Sequence, residues 1–502
     1  MKTFSLYKIG ITILTGVLVS IFSCYGYAQD WDETFPPVFN LTNLNGTNGF
    51  AIRGVKQHDS SGSSVSGVGD VNGDGIDDVL ISADWSMQGY VLFGSKQSWS
   101  EAISLGSLNG QNGFVITGVG ANCVGCSVSG AGDINGDGID DILIGIPMND
   151  ISFAGISYVL FGSKTAWPER FNLADLNGNN GFSIEGISNT FSGTSVSGAG
   201  DVNGDGIDDI LIGFSDIFIL FNGAACVVFG KKEPWNAVNY IKDLNGVNGS
   251  CIYDTTSYAG YSVSGAGDMN GDGIDDILIG SSNIDVTYVV FGTKSWPDSI
   301  NLGSLNGTDG FVINGVHLTD EIGTSVSRAG DVNGDGIADI AIGAPFANNA
   351  TGQSYILFGS KVSWPAAIYL ANLNGKNGFA VNVNGIVGGS TGTVVARAGD
   401  VNGDGIDDIL IGVPGFPEFP SKGLSYIIFG SKKPWPASID RNNLNGTNGF
   451  IINGINSGDY TGIVSGAGDL NGDGIADILI GSPGWQNLTG QSYVIFGSKA
   501  NP

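Results

Sequence analysis

The nine-residue string Asp-Val-Asn-Gly-Asp-Gly-Ile-Asp-Asp at 70–78 constrains this chain more than any other feature. It returns with little change at 133, 201, 268, 331, 400 and 469, at intervals of 63, 68, 67, 63, 69 and 69 residues. Seven copies at a near-constant period mean one supersecondary unit, repeated so that each copy buries its apolar faces against its neighbours.

Positions one, three, five and nine of each copy are Asp, Asn, Asp and Asp, with no His or Cys among them. An oxygen-only donor set suits a hard cation. Glycine at position six permits the sharp turn that points alternate side chains at one centre, and the carbonyl of the isoleucine at position seven can add an oxygen. The first copy thus offers Asp70, Asn72, Asp74, Ile76 and Asp78, and the second Asp133, Asn135, Asp137, Ile139 and Asp141. The third offers Asp201, Asn203, Asp205, Ile207 and Asp209, and the fourth Asp268, Asn270, Asp272, Ile274 and Asp276. Next come Asp331, Asn333, Asp335, Ile337 and Asp339, then Asp400, Asn402, Asp404, Ile406 and Asp408. The seventh set is Asp469, Asn471, Asp473, Ile475 and Asp477. Flexible oxygen coordination favours calcium over magnesium, so up to seven calcium ions are expected.

A single Asn-Gly or Asp-Gly could equally be a hairpin turn without metal. An EF-hand is excluded, because it needs Glu at position twelve, where these loops carry Ile81, Ile144, Ile212, Ile279, Ile342, Ile411 and Ile480. Charge supplies an independent argument. Three acidic ligands per loop, with a further Asp at position eight of five loops, account for 26 of the 48 acidic residues. The remaining 22 face 20 Lys and Arg, so the net charge of −28 is gathered in seven clusters. Clustered carboxylates repel one another unless a cation lies between them.

Residues 1–28 read as a secretory signal: Lys2 and Lys8 precede the apolar run from Ile9 to Phe22, and Gly26-Tyr27-Ala28 offers a cleavage site. A lipid anchor at Cys24 is the minor alternative, and no later stretch is apolar enough to span a membrane. Export and a secreted or cell-surface location follow. Four cysteines remain, too few for a disulfide scaffold. Cys226 and Cys251 fall on strands that the repeat places side by side, while Cys123 and Cys126 sit in a loop as a local pair or free thiols.

Each unit reads as four short strands, shown by the second: 113–116, 127–130, 141–144 and 157–161, with the acidic loop joining its second strand to its third. Short strands, Gly-rich turns and a sevenfold period predict an all-β protein, a seven-bladed β-propeller of four-stranded blades over residues 29–502. Phase at the two ends predicts closure. Residues 50–52 are an outer strand without a blade, and the last blade ends after its third strand at 493–496. Pairing them removes two open sheet edges. Trp99, Trp167, Trp235, Trp296, Trp364 and Trp435 recur in the link from third to outer strand as packing residues, with Trp31 expected in the seventh place.

The acidic loops and the Leu-Asn-Gly-x-Asn-Gly links share one face by strand alternation and vary little. The opposite, upper face carries loops that differ from blade to blade, with Trp85, Phe153, Phe191, Phe221, Tyr258, Phe346, Phe416, Phe419, Tyr460 and Trp485. Aromatic residues on rigidly held loops suit recognition, against the alternative that such loops merely tolerate drift.

Units such as 323–345, Gly-Thr-Ser-Val-Ser-Arg-Ala-Gly-Asp-Val-Asn-Gly-Asp-Gly-Ile-Ala-Asp-Ile-Ala-Ile-Gly-Ala-Pro, resemble FG-GAP repeats of the integrin α-subunit propeller. The resemblance covers about residues 38 to 498. It implies calcium on positions one, three, five and nine, with the position-seven carbonyl, and ligand recognition on the upper face. The Phe of the Phe-Gly pair is absent in every repeat, as at Ile322-Gly323, and Gly-Ala-Pro appears whole once, at 343–345. Leg domains, a transmembrane helix and a cytoplasmic tail are not in the sequence, so a stand-alone, monomeric propeller is expected.

The leading expectation is a cell-adhesion or ligand-binding module for an extracellular protein or glycan. FG-GAP repeats also occur in glycosylphosphatidylinositol phospholipase D, but there the resemblance puts catalysis in a separate domain. With His58 and His317 as the sole histidines, a hydrolase would lack recognisable acid/base equipment. A purely structural, glycosylated surface protein is the other alternative, with Asn45, Asn306, Asn349 and Asn487 as acceptor sites. So acidic a chain repels nucleic acid.

Overall fold

A computed structural model describes residues 35–118, 127–148, 152–214, 224–254, 259–382, 394–414 and 422–499. Residues 1–28, read above as a signal segment and including Cys24, together with Trp31, Cys123, Cys126, Phe221, Tyr258, Phe416 and Phe419, lie outside the described residues.

The strands form seven sheets, antiparallel except at their outer edge, arranged as the blades of a closed ring. In the first blade the order from the centre outward is Ser61–Gly69, Asp78–Ala83, Gln88–Leu92 and Gly113–Thr117. Every second strand is buried along its whole length, as in Asp78–Ala83 and Asp141–Ile146. Blades cover both of its faces, which explains why Asp-Ile-Leu-Ile-Gly shows no alternation. The apolar clusters accordingly lie between blades. One joins Val68, Leu80 and Phe114 of the first blade to Val128, Ile142 and Tyr158 of the second.

The blades have five strands, not the expected four. The fifth is a three-residue piece of the next blade's long link, laid parallel on the outer edge: Arg170–Asn172 beside Gly113–Thr117, for example. It covers an edge that would otherwise present unpaired N–H and C=O groups.

Closure follows the expected phase. Gly49–Arg53 is the fourth strand of the last blade and pairs antiparallel with Gln491–Ile495. The segment before it does a second job, because Val38–Asn40 is the outer strand of the sixth blade, parallel to Gly449–Asn453. The ring is thus tied at two neighbouring blades by one stretch of chain.

The link tryptophans clamp this outer edge. Trp167 stacks on Phe114 with centroids 4.2 Å apart, and Trp99 on Phe50, Trp235 on Phe182, Trp364 on Phe311 and Trp435 on Phe379 do the same. Trp296, facing a blade whose phenylalanine is replaced by Ser250, meets Phe229 edge-on instead. In the sixth blade the clamp is Phe35, stacked on Phe450 at 4.6 Å, which corrects the assignment of that place to Trp31. Trp167→Ala is expected to cost about 3–5 kcal/mol, read from the urea midpoint. A loss under about 1 kcal/mol would show the clamp to be surface decoration.

Cys226 and Cys251 face each other across the third and fourth strands of the third blade and form a disulfide. The bridge closes a 25-residue separation, for which chain entropy gives about 3.5 kcal/mol. The double change Cys226→Ala and Cys251→Ala should lower the urea midpoint accordingly, and dithiothreitol should reproduce the effect on the unaltered protein.

Candidate metal loops and the two faces of the ring

Each acidic loop begins at a bulge. The register slips between Gly67 and Gly69 in the first blade, and Gly69 has φ +71°, a conformation that glycine enters freely. The chain then curls around its own first aspartate. Asp70 Oδ1 accepts from the N–H of Gly73 and Asp74, and Oδ2 from Gly75 at 2.7 Å. Asp74 Oδ1 accepts from Ile76 N–H at 3.0 Å. The ninth residue, Asp78, is fully buried and accepts from Val71 and Gly94 N–H. The other six loops repeat the bonds from positions five and six to the first aspartate, from position seven to the fifth residue, and those accepted by the buried ninth residue, as at Asp201, Asp205 and Asp209. The position-four bond recurs at Asp268.

Burial pushes Asp78 up to about 8, against the two backbone donors that favour its charge, and the charges of Asp74 and Asp70 push the same way. Asp141, Asp209, Asp276, Asp339 and Asp477 are likewise raised to about 8, and Asp408 is raised well above the carboxylate range, burial leading in each. The structure therefore brings the four side chains of each set into one tight loop. It does not gather them further: among the described residues no three acidic, His or Cys side chains converge into a coordination sphere. The chemistry of the donors still fits a calcium ion. All are oxygens, and a buried carboxylate beside two others is relieved by a divalent charge.

Two sets of residues that sequence reading passed over also belong to these loops. In every link, Phe-Gly-x-Lys brings a lysine across to the preceding blade. The Lys164 stem covers Gly73, Lys232 covers Gly136, and Lys96 closes the circle over Gly472. The residue before each lysine donates its N–H to the carbonyl at loop position two, Ser163 to Val71 at 2.9 Å for example. The acid at position eight reaches back in the same way, so that Asp140 Oδ2 accepts from Asp70 N–H at 2.9 Å. The signal was present as the sevenfold recurrence of Phe-Gly-x-Lys, but its contact is to another blade.

The inner strands line a central channel with glycine, alanine and serine. Ser465 and its counterparts accept from a neighbouring blade's N–H while donating along their own strand. Toward the acidic loops lies a cavity of about 750 Å³ with Arg328 and Arg397 in its wall. Arg397 pairs with Asp407, Nη2 to Oδ1 at 2.7 Å.

The upper face is built differently. All twelve described non-glycine residues with positive φ lie on it, among them His58, Met87, Phe153, Glu321 and Tyr460, whereas the acidic loops place glycine at their positive φ angles. Trp85 stands 75 % exposed on a single turn whose Asp84 is held by Ser82 Oγ. Phe346 is exposed, and Tyr460 and Trp485 are half-buried. Phe191 departs from the expectation of an exposed recognition residue. It is buried and stacks on Phe153 at 5.2 Å, since a loop that turns this tightly must fill its own interior.

The FG-GAP repeat family matches residues 61–94, 127–160, 323–357, 391–428 and 461–495. Integrin alpha pat-2 of Caenorhabditis elegans is 29% identical over 232 residues, covering 44% of this chain and 18% of that protein. Integrin alpha-5 of Xenopus laevis is 30% identical over 223 residues, covering 41% and 20%. The chain thus spans about a fifth of the length of these curated relatives. Among solved structures, the WD40 domain from Toxoplasma gondii coronin aligns over 94% of this chain and 90% of its own, at 10% identity and a TM-score of 0.46. Repeat sequence and blade count agree: the chain carries five matched FG-GAP repeats in a seven-bladed propeller, and in sequence it is similar to integrin alpha subunits.

Proposed function

We propose that this propeller is an exported, calcium-stabilised binding module of the adhesion type, which recognises an extracellular protein or glycan through its upper face. The observation that carries the reading is the division of labour between the faces. The lower face repeats one loop seven times, while the upper face holds every described non-glycine residue of positive φ. Backbone held in a sparsely populated region persists where the surroundings over-determine it, and such residues gather at binding sites. The matched relatives are integrin alpha subunits, which favours binding over catalysis. Calcium in this reading is structural: Asp70, Asn72, Asp74, the Ile76 carbonyl and Asp78, with their six counterparts, would hold it. No helix among the described residues is long and apolar enough to cross a membrane.

The test is a screen of extracellular-protein and glycan arrays in calcium, followed by affinity measurements on Trp85→Ala and Phe346→Ala. A captured ligand should lose about ten-fold or more in affinity through at least one of these changes, as for an interface anchor, with the melting temperature unmoved. A ligand indifferent to every upper-face substitution would overturn the assignment of that face.

A further inference from the structure

The seven acidic loops are not held alike by their neighbours. Two contacts from the following blade are present at all seven boundaries: the lysine stem over position four, and the link N–H on the position-two carbonyl, at 2.9 to 3.0 Å throughout. The third contact is not. Asp140, Asp208, Asp275, Asp407 and Asp77 accept the position-one N–H of Asp70, Asp133, Asp201, Asp331 and Asp469, at 2.8 to 3.1 Å. At the other two boundaries position eight is Ala338 or Ala476, so Asp268 and Asp400 receive no such carboxylate.

The hydrogen bonds within these two loops otherwise follow the common pattern. Asp268 still accepts from Asp272 and Gly273, and Asp400 from Asp404 and Gly405, at the usual distances. Even the space for the missing carboxylate is kept. A side chain on Gly69 would strike Asp140, and the equivalent Gly267 and Gly399 are still glycine, facing the shorter Ala338 and Ala476. Asp407 makes its bond while also accepting Arg397, so the common factor is the hydrogen bond and not the net charge.

We propose that the position-eight aspartates are positioning residues for the cation loop of the preceding blade, so that five loops take calcium tightly and the loops at 268–276 and 400–408 take it more weakly. The inference rests on the calcium reading above. Position one supplies a ligand carboxylate, and a fixed N–H at that residue fixes the backbone from which the carboxylate projects. Ordering done before the ion arrives is not charged against its affinity. A hydrogen bond to an ionised acceptor is strong enough to matter, and ten-fold in affinity corresponds to about 1.4 kcal/mol. The ring then divides into two arcs, one running from the seventh blade through the first to the fourth, the other joining the fifth and sixth.

Calorimetric titration of the calcium-stripped whole protein with calcium chloride tests this, with melting in EGTA as the check on folding. The unaltered protein should show five tight sites and two that are about ten-fold weaker or more. Asp140→Ala should convert this to four and three. Ala338→Asp, a gain that does not depend on tolerating a loss, should give six and one. Seven equivalent sites, unmoved by either change, would overturn the inference and leave the calcium reading standing. No binding at any loop would overturn both.

Discussion

A variant that starts at residue 54 is expected not to form the ring. It lacks Gly49–Arg53, which supplies five paired residues to Gln491–Ile495, and Val38–Asn40, which covers the sixth blade. It also lacks Phe39, Leu41, Leu44, Phe50 and Ile52, all buried. At about 1.5–3 kcal/mol for each such side chain the loss is on the order of 10 kcal/mol. That is comparable to the whole stability of an ordinary domain, about 5–15 kcal/mol. The open edge of Gln491–Ile495 would also be a template for pairing with other chains. Near-ultraviolet circular dichroism should show loss of fixed aromatic packing, and size-exclusion chromatography should show aggregates. A peptide of residues 35–53 added in trans should restore part of the signal. A cooperative melt within a few degrees of the full chain would mean that the blades hold one another without closure.

This closure was legible in the sequence because it depends on phase alone: an outer strand to spare at one end and a third strand without a partner at the other. The disulfide was legible for the same reason, Cys226 and Cys251 occupying matched positions on adjacent strands. The fifth strand was not. Ala102–Ser104 is three residues long, too short for any periodicity, and its partner is Gly49–Arg53 of another blade. The Lys164 stem on Gly73 and the Asp140 bond to Asp70 escaped for a related reason, since both are contacts between units and the repeat describes only what lies within one. Position eight, read by itself, is just another acid. Phe191 shows the opposite failure: aromatic character on a variable loop suggested exposure, and the turn's own geometry buried it. The candidate cation ligands lie between these cases. Their identities are local and repeat without exception, but how closely Asp70, Asp74 and Asp78 approach depends on side-chain torsions that spacing does not fix.

Stripping calcium should produce the other large effect. A ligand that binds only the folded state adds about 2.7 kcal/mol per site at a hundredfold excess over Kd, so several loaded loops sum to more than an ordinary domain's stability. The acids resist folding otherwise: Asp78 is buried with the charges of Asp70 and Asp74 beside it, and the arrangement recurs seven times. The melting temperature in EGTA should therefore fall by tens of degrees below that in millimolar calcium. Magnesium should restore less of it, because a smaller ion that keeps its waters accepts fewer of these oxygens. Asp74→Asn separates the ion from the loop. Asp74 is exposed, and its contact to Ile76 N–H can be kept by an amide oxygen. In EGTA the variant should melt no lower than the parent, and slightly higher to the extent that the Asp74 charge opposes burial of Asp78. In calcium the variant should melt lower, by an amount set by the weakening of one loop of seven. Identical melting curves for the parent with and without calcium would remove the ion from the stability of this fold.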